Sequence, residues 1–370
     1  MQTFPLPSVY EALLLVMQNY PDNFNEEKKL EVEALLDHCI RGLESSSEKF
    51  LATLFIKAIR KHIGSSALYG HDENLYLRKF EVSQIELFNF LINEFPFVRD
   101  AQKLVNSSIV SLIRGHKEAV IMDIGIGQGV QMLNLLKMLD GAEGLKKITL
   151  IGIEPFGDAL KVAEENLREA KLSFKVEFHP ICEFIEAYDF SELKPILSKT
   201  SGPLIVNESL ALHHLPRLID RHKVIQCVRA LKPMAFFLTE PNTDHFEPDF
   251  YKRFQNCYNH YFHIFQVIDK IPSDNRVKDG LKLFFGREID DIIGGRDHDR
   301  SEKHEPAFRW VEKLLVGGFV MVDWFTGLPE DIGYGIEVVF NPITGGVDFK
   351  VKKETVLSIL QAACVNRSII

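Results

Sequence analysis

Apolar residues recur at helical spacing from about residue 9 to about 115, in VYEALLLVM, LEVEALLDHCI and FLATLFIKAIRKHI, and no strand pattern interrupts them. That stretch predicts a run of helices. Near residue 119 the pattern changes to short β-rich runs alternating with amphipathic helices: AVIMDI, VQMLNLLKML, ITLIGIEP, DALKVAEENLREA and FKVEFHP. PLIVNES, a helix around LIDRHKVIQCVRAL, and AFFLTEP continue it, giving five strands of the kind that βαβ units assemble into a parallel sheet. After Pro241 comes a long helical stretch striped with Phe246, Phe250, Tyr251, Phe254, Tyr258, Tyr261, Phe262 and Phe265, a pattern read as core. Helices near 281–293 and 304–315 follow. The last two strands are then FVMVDWF and YGIEVVF, expected to pair antiparallel across a loop containing GLPEDIGYG.

Five alternating strands, a helix and two antiparallel strands describe an α/β fold with a Rossmann-type seven-stranded methyltransferase sheet. A dinucleotide dehydrogenase would instead repeat its βαβ set. The helices before and after the strands predict an α-helical cap. The expected division is an N-terminal helical cap over 1–88 and a Rossmann-type core over 89–370, with cap helices inserted at about 243–315.

Composition narrows the function. With 370 residues and 46% hydrophobic content the chain can bury a large core. A formal net charge of -9 argues against broad nucleic-acid binding, which needs a basic face to neutralise phosphates. Cys39, Cys182, Cys227, Cys257 and Cys364 form no CxxC pair or His/Cys cluster, so no metal site or disulfide framework is expected. The first residues lack the basic segment of a secretory signal, and ALLLVM is too short to span a bilayer. A cytoplasmic protein without membrane contact is expected.

Chemistry is read at the strand ends. The first strand ends in Asp123-Ile124-Gly125-Ile126-Gly127-Gln128-Gly129 and runs directly into a helix. Glycines let this backbone bend sharply and approach a ligand, and the helix N-terminus offers unpaired N–H groups. Such a turn holds the amino-acid tail of S-adenosylmethionine (SAM) as readily as a pyrophosphate, with Asp123 placed for the amino group. Close helix–strand packing explains the same glycines without a ligand. Glu154, ending the second strand, suits the ribose hydroxyls of any adenosine ligand, NAD included. Ile181 and Cys182 follow the third strand, where an adenine edge would lie. Asn207 and Glu208 end the fourth, and His213 follows within Leu212-His213-His214-Leu215.

With these residues placed, the chain resembles the GRAS family from about Leu30 to about Phe340. AVIMDIGIGQG is similar to the family's VHIID block, and IVNESLALHHL to its VN…LHHL segment. The block after the fifth strand maps onto Glu240, Asn242, Phe250, Arg253 and Phe254. Gly286, Arg287 and Glu288, then His304, Glu305, Trp310 and Phe319, match two later segments, and LLDHCIRGL resembles the family's opening. The resemblance implies a Rossmann-type methyltransferase core with a helical cap. Plant members are transcriptional regulators acting through protein contacts, and bacterial relatives have been proposed as small-molecule methyltransferases. Gly125 and Gly127 stand where plant members usually carry larger residues, which moves this chain toward a cofactor-binding branch.

The leading expectation is therefore a SAM-dependent methyltransferase, releasing S-adenosylhomocysteine (SAH), that acts on a small molecule. His213 or Glu240 is expected to accept a proton. Glu208, Asn242, Tyr251, Arg253, Arg287, Glu288 and His304 are expected around the acceptor, with Arg253 and Arg287 either anchoring a carboxylate or pairing with Glu240 and Glu288. A non-catalytic regulator that binds a partner protein, with SAM as a structural ligand, is the second reading. A NAD-dependent oxidoreductase is the third.

Overall fold

The computed structural model describes residues 10–11, 13–14, 46–62, 84–215, 217–323, 328 and 331–364. Helices expected at VYEALLLVM and LEVEALLDHCI, the LLDHCIRGL segment, Cys39 and the end of FVMVDWF lie wholly or mostly outside these residues. The chain divides into two compact units, one of Met1–Leu91 with Thr243–His304 and one of Ile92–Asn242 with Glu305–Ile370.

In the first unit, α1 (Ser46–His62) packs along two long helices, α7 (Phe250–Lys270) and α8 (Asn275–Gly294). Each long helix starts at an aspartate: Asp249 accepts from Lys252 N at 3.1 Å, and Asp274 from Val277 N at 2.8 Å. The aromatic stripe is core in part: Phe254, Tyr258, Tyr261 and Phe265 are buried, whereas Phe246, Phe250, Tyr251 and Phe262 are half-buried. Phe55 of α1 sits edge-on to Phe254, with centroids 5.5 Å apart, and 5.1 Å from the ring of Tyr258. The motif glycine Gly286 marks the closest approach of α8 to α1, where a Cβ would stand 2.8 Å from Leu54 Cδ2.

The second unit is built on a nine-stranded sheet. Its parallel half comprises β1 (Glu118–Ile124), β2 (Lys147–Ile153), β3 (Lys175–Ile181), β4 (Leu204–Ser209) and β5 (Ala235–Pro241), in the order β3-β2-β1-β4-β5. β1, β2, β4 and β5 are buried almost throughout, which is why they read as continuous apolar runs. Connecting helices are α4 (Val130–Leu139), α5 (Gly157–Glu169) and α6 (Leu218–Ala230), and α3 (Pro96–Ile113) precedes the sheet; α2 (Gln84–Asn93) carries the division between the units. On one face Val120, Met122, Val206, Phe236 and Leu238 pack against Val224, Ile225 and Val228 of α6 and Trp310 and Leu314 of α9 (Ala307–Val316). On the other, α3 packs against α4 and reaches β9.

The antiparallel half corrects the sequence reading. Two strands were expected after the helices; among the described residues there are four, β6 (Phe319–Met321), β7 (Ile336–Asn341), β8 (Gly346–Val351) and β9 (Glu354–Cys364). Among those residues the two expected strands do not pair with each other. β9 lies beside β5, with Phe237 opposite Gln361, and its other edge takes β8 and β6, while β7 pairs β8. β9 is hard to recognise because it is flanked by strands on both edges and carries Ser358 and Gln361 at fully buried positions. Its apolar run is thus interrupted without acquiring a period-two pattern.

Removing a ring from a tightly packed aromatic set leaves a cavity. Phe55→Ala should therefore cost about 3–5 kcal/mol of helical-unit stability, measured by urea unfolding; a loss below about 1 kcal/mol would contradict the described packing.

Candidate functional site

The carboxyl ends of β1, β2 and β4 meet at one edge of the sheet unit. Strand register pairs Asp123 with Gly152 on one side and with Asn207 on the other. Asn207 Nδ2 donates to Asp123 Oδ1 at 2.7 Å. Asn207 Oδ1 is buried without a hydrogen-bond partner among the described residues. Burial pushes the Asp123 carboxyl up to about 7, which the Asn207 hydrogen bond opposes and the charge of Glu154 assists.

The glycine turn follows. Gly125 N and Ile126 N both donate to Ile153 O, tying the turn to β2. Gly125, Gly127 and Gly129 all have positive φ, and Gly129 is the N-cap of α4. Two glycines do different things. A Cβ on Gly125 would lie 2.5 Å from Ala211 Cβ, so this position is kept bare by the loop after β4. A Cβ on Gly127 would meet nothing within 4 Å, and its φ of 54° is one that asparagine tolerates and β-branched residues do not. Glu154 bends over the turn: its Oε2 accepts from Gly127 N at 3.1 Å and its Oε1 from Phe156 N at 3.2 Å. Burial raises its pKa, and those two N–H groups oppose the rise. Ile181 O accepts from Glu154 N, and the exposed Cys182 thiol lies 3.6 Å from Pro155 O.

The loop after β4 is held by side chains from three directions. Leu210 takes a left-handed φ of 59°, and Glu208 Oε1 accepts from Ala211 N at 2.7 Å and Leu212 N at 3.1 Å. Glu240 Oε1 accepts from His213 N at 3.0 Å, while Glu240 Oε2 lies 2.6 Å from His213 Nδ1. Burial and the neighbouring Glu240 push Glu208 well up. Glu240, despite burial, is held below the usual carboxylate range by His213, a proton from Glu208 and Arg221. Glu208 therefore keeps its proton more readily than Glu240, which carries the charge.

Arg221, fully buried on α6, closes the arrangement. Its Nη2 donates to His213 O at 2.7 Å and Leu215 O at 3.0 Å, and its Nη1 bonds Glu305, whose other oxygen takes Lys313 Nζ at 2.7 Å. The Trp310 ring lies beside both cations, 5.1 Å from the Arg221 guanidinium carbon and 5.5 Å from Lys313 Nζ. The sequence reading missed Arg221 and Lys313 as site residues. Their signal is a charge on an otherwise buried helical stripe, Arg221 with Val224, Ile225 and Val228, and Lys313 with Trp310 and Leu314.

The residues expected around an acceptor fall in both units. Glu208 belongs to the loop clamp. Asn242 Oδ1 accepts from Ala307 N at 2.6 Å, at the start of α9. Tyr251, Arg253, Arg287, Glu288 and His304 belong to the helical unit. Arg253 bonds Glu247 O at 2.8 Å and lies 3.4 Å from Asp297. Glu288 takes the Tyr261 hydroxyl at 2.5 Å, Arg287 lies over the Phe284 ring, and Tyr251 is half-buried. His304 Nδ1 stands 2.7 Å from His245 Nδ1 and beside His260, whose burial lowers its pKa to about 3. His245 and His260 had not been singled out, since a histidine in an aromatic stripe carries no sequence signal of its own.

The GRAS domain family matches residues 24–327. The chain belongs to that family. It is 26% identical over 251 residues to chitin-inducible gibberellin-responsive protein 2 of Oryza sativa subsp. japonica, covering 64% of this chain and 46% of that protein. It is 25% identical over 259 residues to the Scarecrow-like transcription factor PAT1 of Arabidopsis thaliana, covering 65% and 52%. The chain thus spans about half the length of the curated relatives it matches. The crystal structure of SCL7 from Oryza sativa superposes with a TM-score of 0.78 at 20% identity, covering 96% of this chain and 99% of that one, and shows that the GRAS fold is shared. Among the described residues no helix is long and apolar enough to cross a membrane.

Asp123 binds its proton more tightly folded, with a pKa of about 7, than unfolded, near 3.8. Its favourable contribution is therefore complete below about pH 4 and is lost as pH rises toward 7. Asp123→Asn should flatten the fall in unfolding free energy across that window by up to about 1.4 kcal/mol per pH unit. Urea midpoints at several pH values test this, and parallel curves for both proteins would refute the raised pKa.

Proposed function

We propose that this GRAS chain binds SAM at the carboxyl ends of β1, β2 and β4 and transfers its methyl group to a small molecule. The observation that carries the reading is Asn207 Oδ1, a buried acceptor with no partner among the described residues, beside Asp123 and near a turn that is open above Gly127. A buried acceptor left alone costs roughly 1–3 kcal/mol, and a ligand's ammonium group would satisfy it. Asp123, about half-protonated near pH 7 without a cation, would ionise fully beside one. Glu154 would hold the ribose hydroxyls, and Ile181 and Cys182 would border the base. The residues therefore fit an adenosine ligand with a cationic amino-acid tail better than NAD, which brings no ammonium group to Asp123.

When bound, SAM supplies a methyl group on a sulfonium, open to in-line attack by a nucleophile. For an acceptor that must lose a proton, His213 takes it at Nε2, because Nδ1 is engaged by Glu240; Glu240 then orients and stabilises the ring and is not itself the base. Arg253, Arg287, Glu288, His304, Tyr251, Asn242 and Glu208 remain proposed for the acceptor's surroundings.

A second reading rests on the same clamp. Glu208, Glu240 and Arg221 satisfy the backbone of residues 211–215 so fully that the LHHL segment is explained as structure alone. On that reading the chain binds SAM and a protein partner without turnover, as a regulator of the kind the name of PAT1 describes.

Calorimetric titration with SAH tests the shared part. Binding is expected to strengthen as pH rises from about 5.5 to 7, where Asp123 ionises. Gly127→Asn keeps the backbone conformation and fills the open space, and should abolish binding; Glu154→Ala should weaken it by about 1–3 kcal/mol. Unchanged affinity in both would sink the site. His213→Asn should lower methyl transfer by about 10²–10⁴-fold with SAH affinity intact; retained turnover would remove His213 from proton transfer, and a chain that binds SAH but methylates nothing would favour the regulator.

A further inference from the structure

We infer that Arg221, through Glu305 and Lys313, is a positioning residue that holds His213 in the orientation proton transfer requires; this rests on the methyltransferase reading above. Glu240 reaches His213 from one side, at its backbone N–H and at Nδ1. Nothing in that pair fixes the other end of the residue. Arg221 does so, placing one guanidinium nitrogen between the carbonyls of His213 and Leu215, with Nε on Leu215 O at 3.2 Å. The LHHL turn is thereby gripped on both sides of its first histidine, which fixes the backbone from which the imidazole reaches Glu240.

The fork is itself fixed. Its remaining nitrogen is bound by Glu305, the first residue of the sheet unit after the helical segment, and Glu305 is held in turn by Lys313 one helical stretch later. Trp310 packs against both cations and leaves them little room to move. Burying a guanidinium at 0% exposure is expensive, and an apolar side chain of similar volume would fill the space at lower cost. A planar donor able to reach two carbonyls and a carboxylate at once is what the apolar residue lacks, and what lysine lacks too.

Tautomer state reads the orientation directly, without an identified methyl acceptor. The full chain is labelled with ¹⁵N-histidine, and the His213 signals are assigned by their loss in His213→Asn. At a pH where the ring is neutral, the wild-type chain should show protonated Nδ1, held on Glu240, and a lone pair on Nε2. Arg221→Lys, which keeps the charge but not the fork, should reduce the Nδ1-protonated fraction at least about twofold, and Arg221→Met should do the same. Either variant melting cooperatively with an unchanged tautomer ratio would overturn the inference and leave Arg221 a purely structural ion. If neither variant folds, Lys313→Met carries the test, since it leaves the guanidinium in place and removes one partner of Glu305: a shift in the same direction supports positioning, and an unchanged ratio overturns it. SAH is titrated into the wild-type chain alongside. Absent binding there would defeat the cofactor reading while the tautomer result still decides the role of Arg221.

Discussion

Glu208 and Glu240 end neighbouring strands in a fully buried position, and the edge of the sheet is organised around neutralising them. Burial and the charge of Glu240 keep Glu208 protonated, and the charge on Glu240 is met first by His213 and then by the guanidinium of Arg221, which is accompanied in the interior by Glu305 and Lys313. Every backbone group of the LHHL turn that these side chains touch is thereby satisfied, and the turn becomes rigid enough to support a left-handed Leu210 and to press Ala211 against Gly125. The glycine turn owes part of its shape to this contact. Glycine turn and acid network are consequently one construction: the residue that keeps Gly125 bare is two positions from the imidazole that Glu240 holds.

Most of the parallel half of the sheet was legible because strands buried on both faces must be written in apolar residues, as AVIMDI, ITLIGI and AFFLTE largely are. Asp123, Glu154, Asn207 and Glu208 were legible as polar residues that end such runs, where topology leaves no place for them but the carboxyl edge. The antiparallel half was not. Ser358 survives inside β9 because Asp348 of β8 accepts its hydroxyl at 2.8 Å, a partnership across strands that no local pattern announces. Arg221 was visible as a charge on an apolar stripe, but its partner Glu305 lies 84 residues away, so the sequence showed a liability and not its remedy. Gly125 and Gly127 read alike in the sequence. Only the position of Ala211 separates the one that packing requires from the one that leaves space.

In the helical unit the same logic applies with rings in place of carboxylates. His245, His260, His304 and Tyr261 lie together; His245 and His304 pair through their Nδ1 atoms, and the Tyr261 hydroxyl donates to Glu288. Burial holds His260 neutral far below physiological pH. Glu288 and His304, which the sequence offered as acceptor-binding groups, take part in the interior contacts of their own unit.

The position of β9 bears on how the chain comes off the ribosome. β5 pairs on one side with β4 and on the other with β9, whose residues are made more than a hundred positions later, after the whole helical segment has emerged. Until then β5 presents an open, strongly apolar edge, the kind of template on which nascent chains stick to one another. The intervening helices can form from local contacts early, whereas closing the sheet waits for a long-range pairing that is slow by nature. Synthesis thus imposes a waiting period on the centre of the fold.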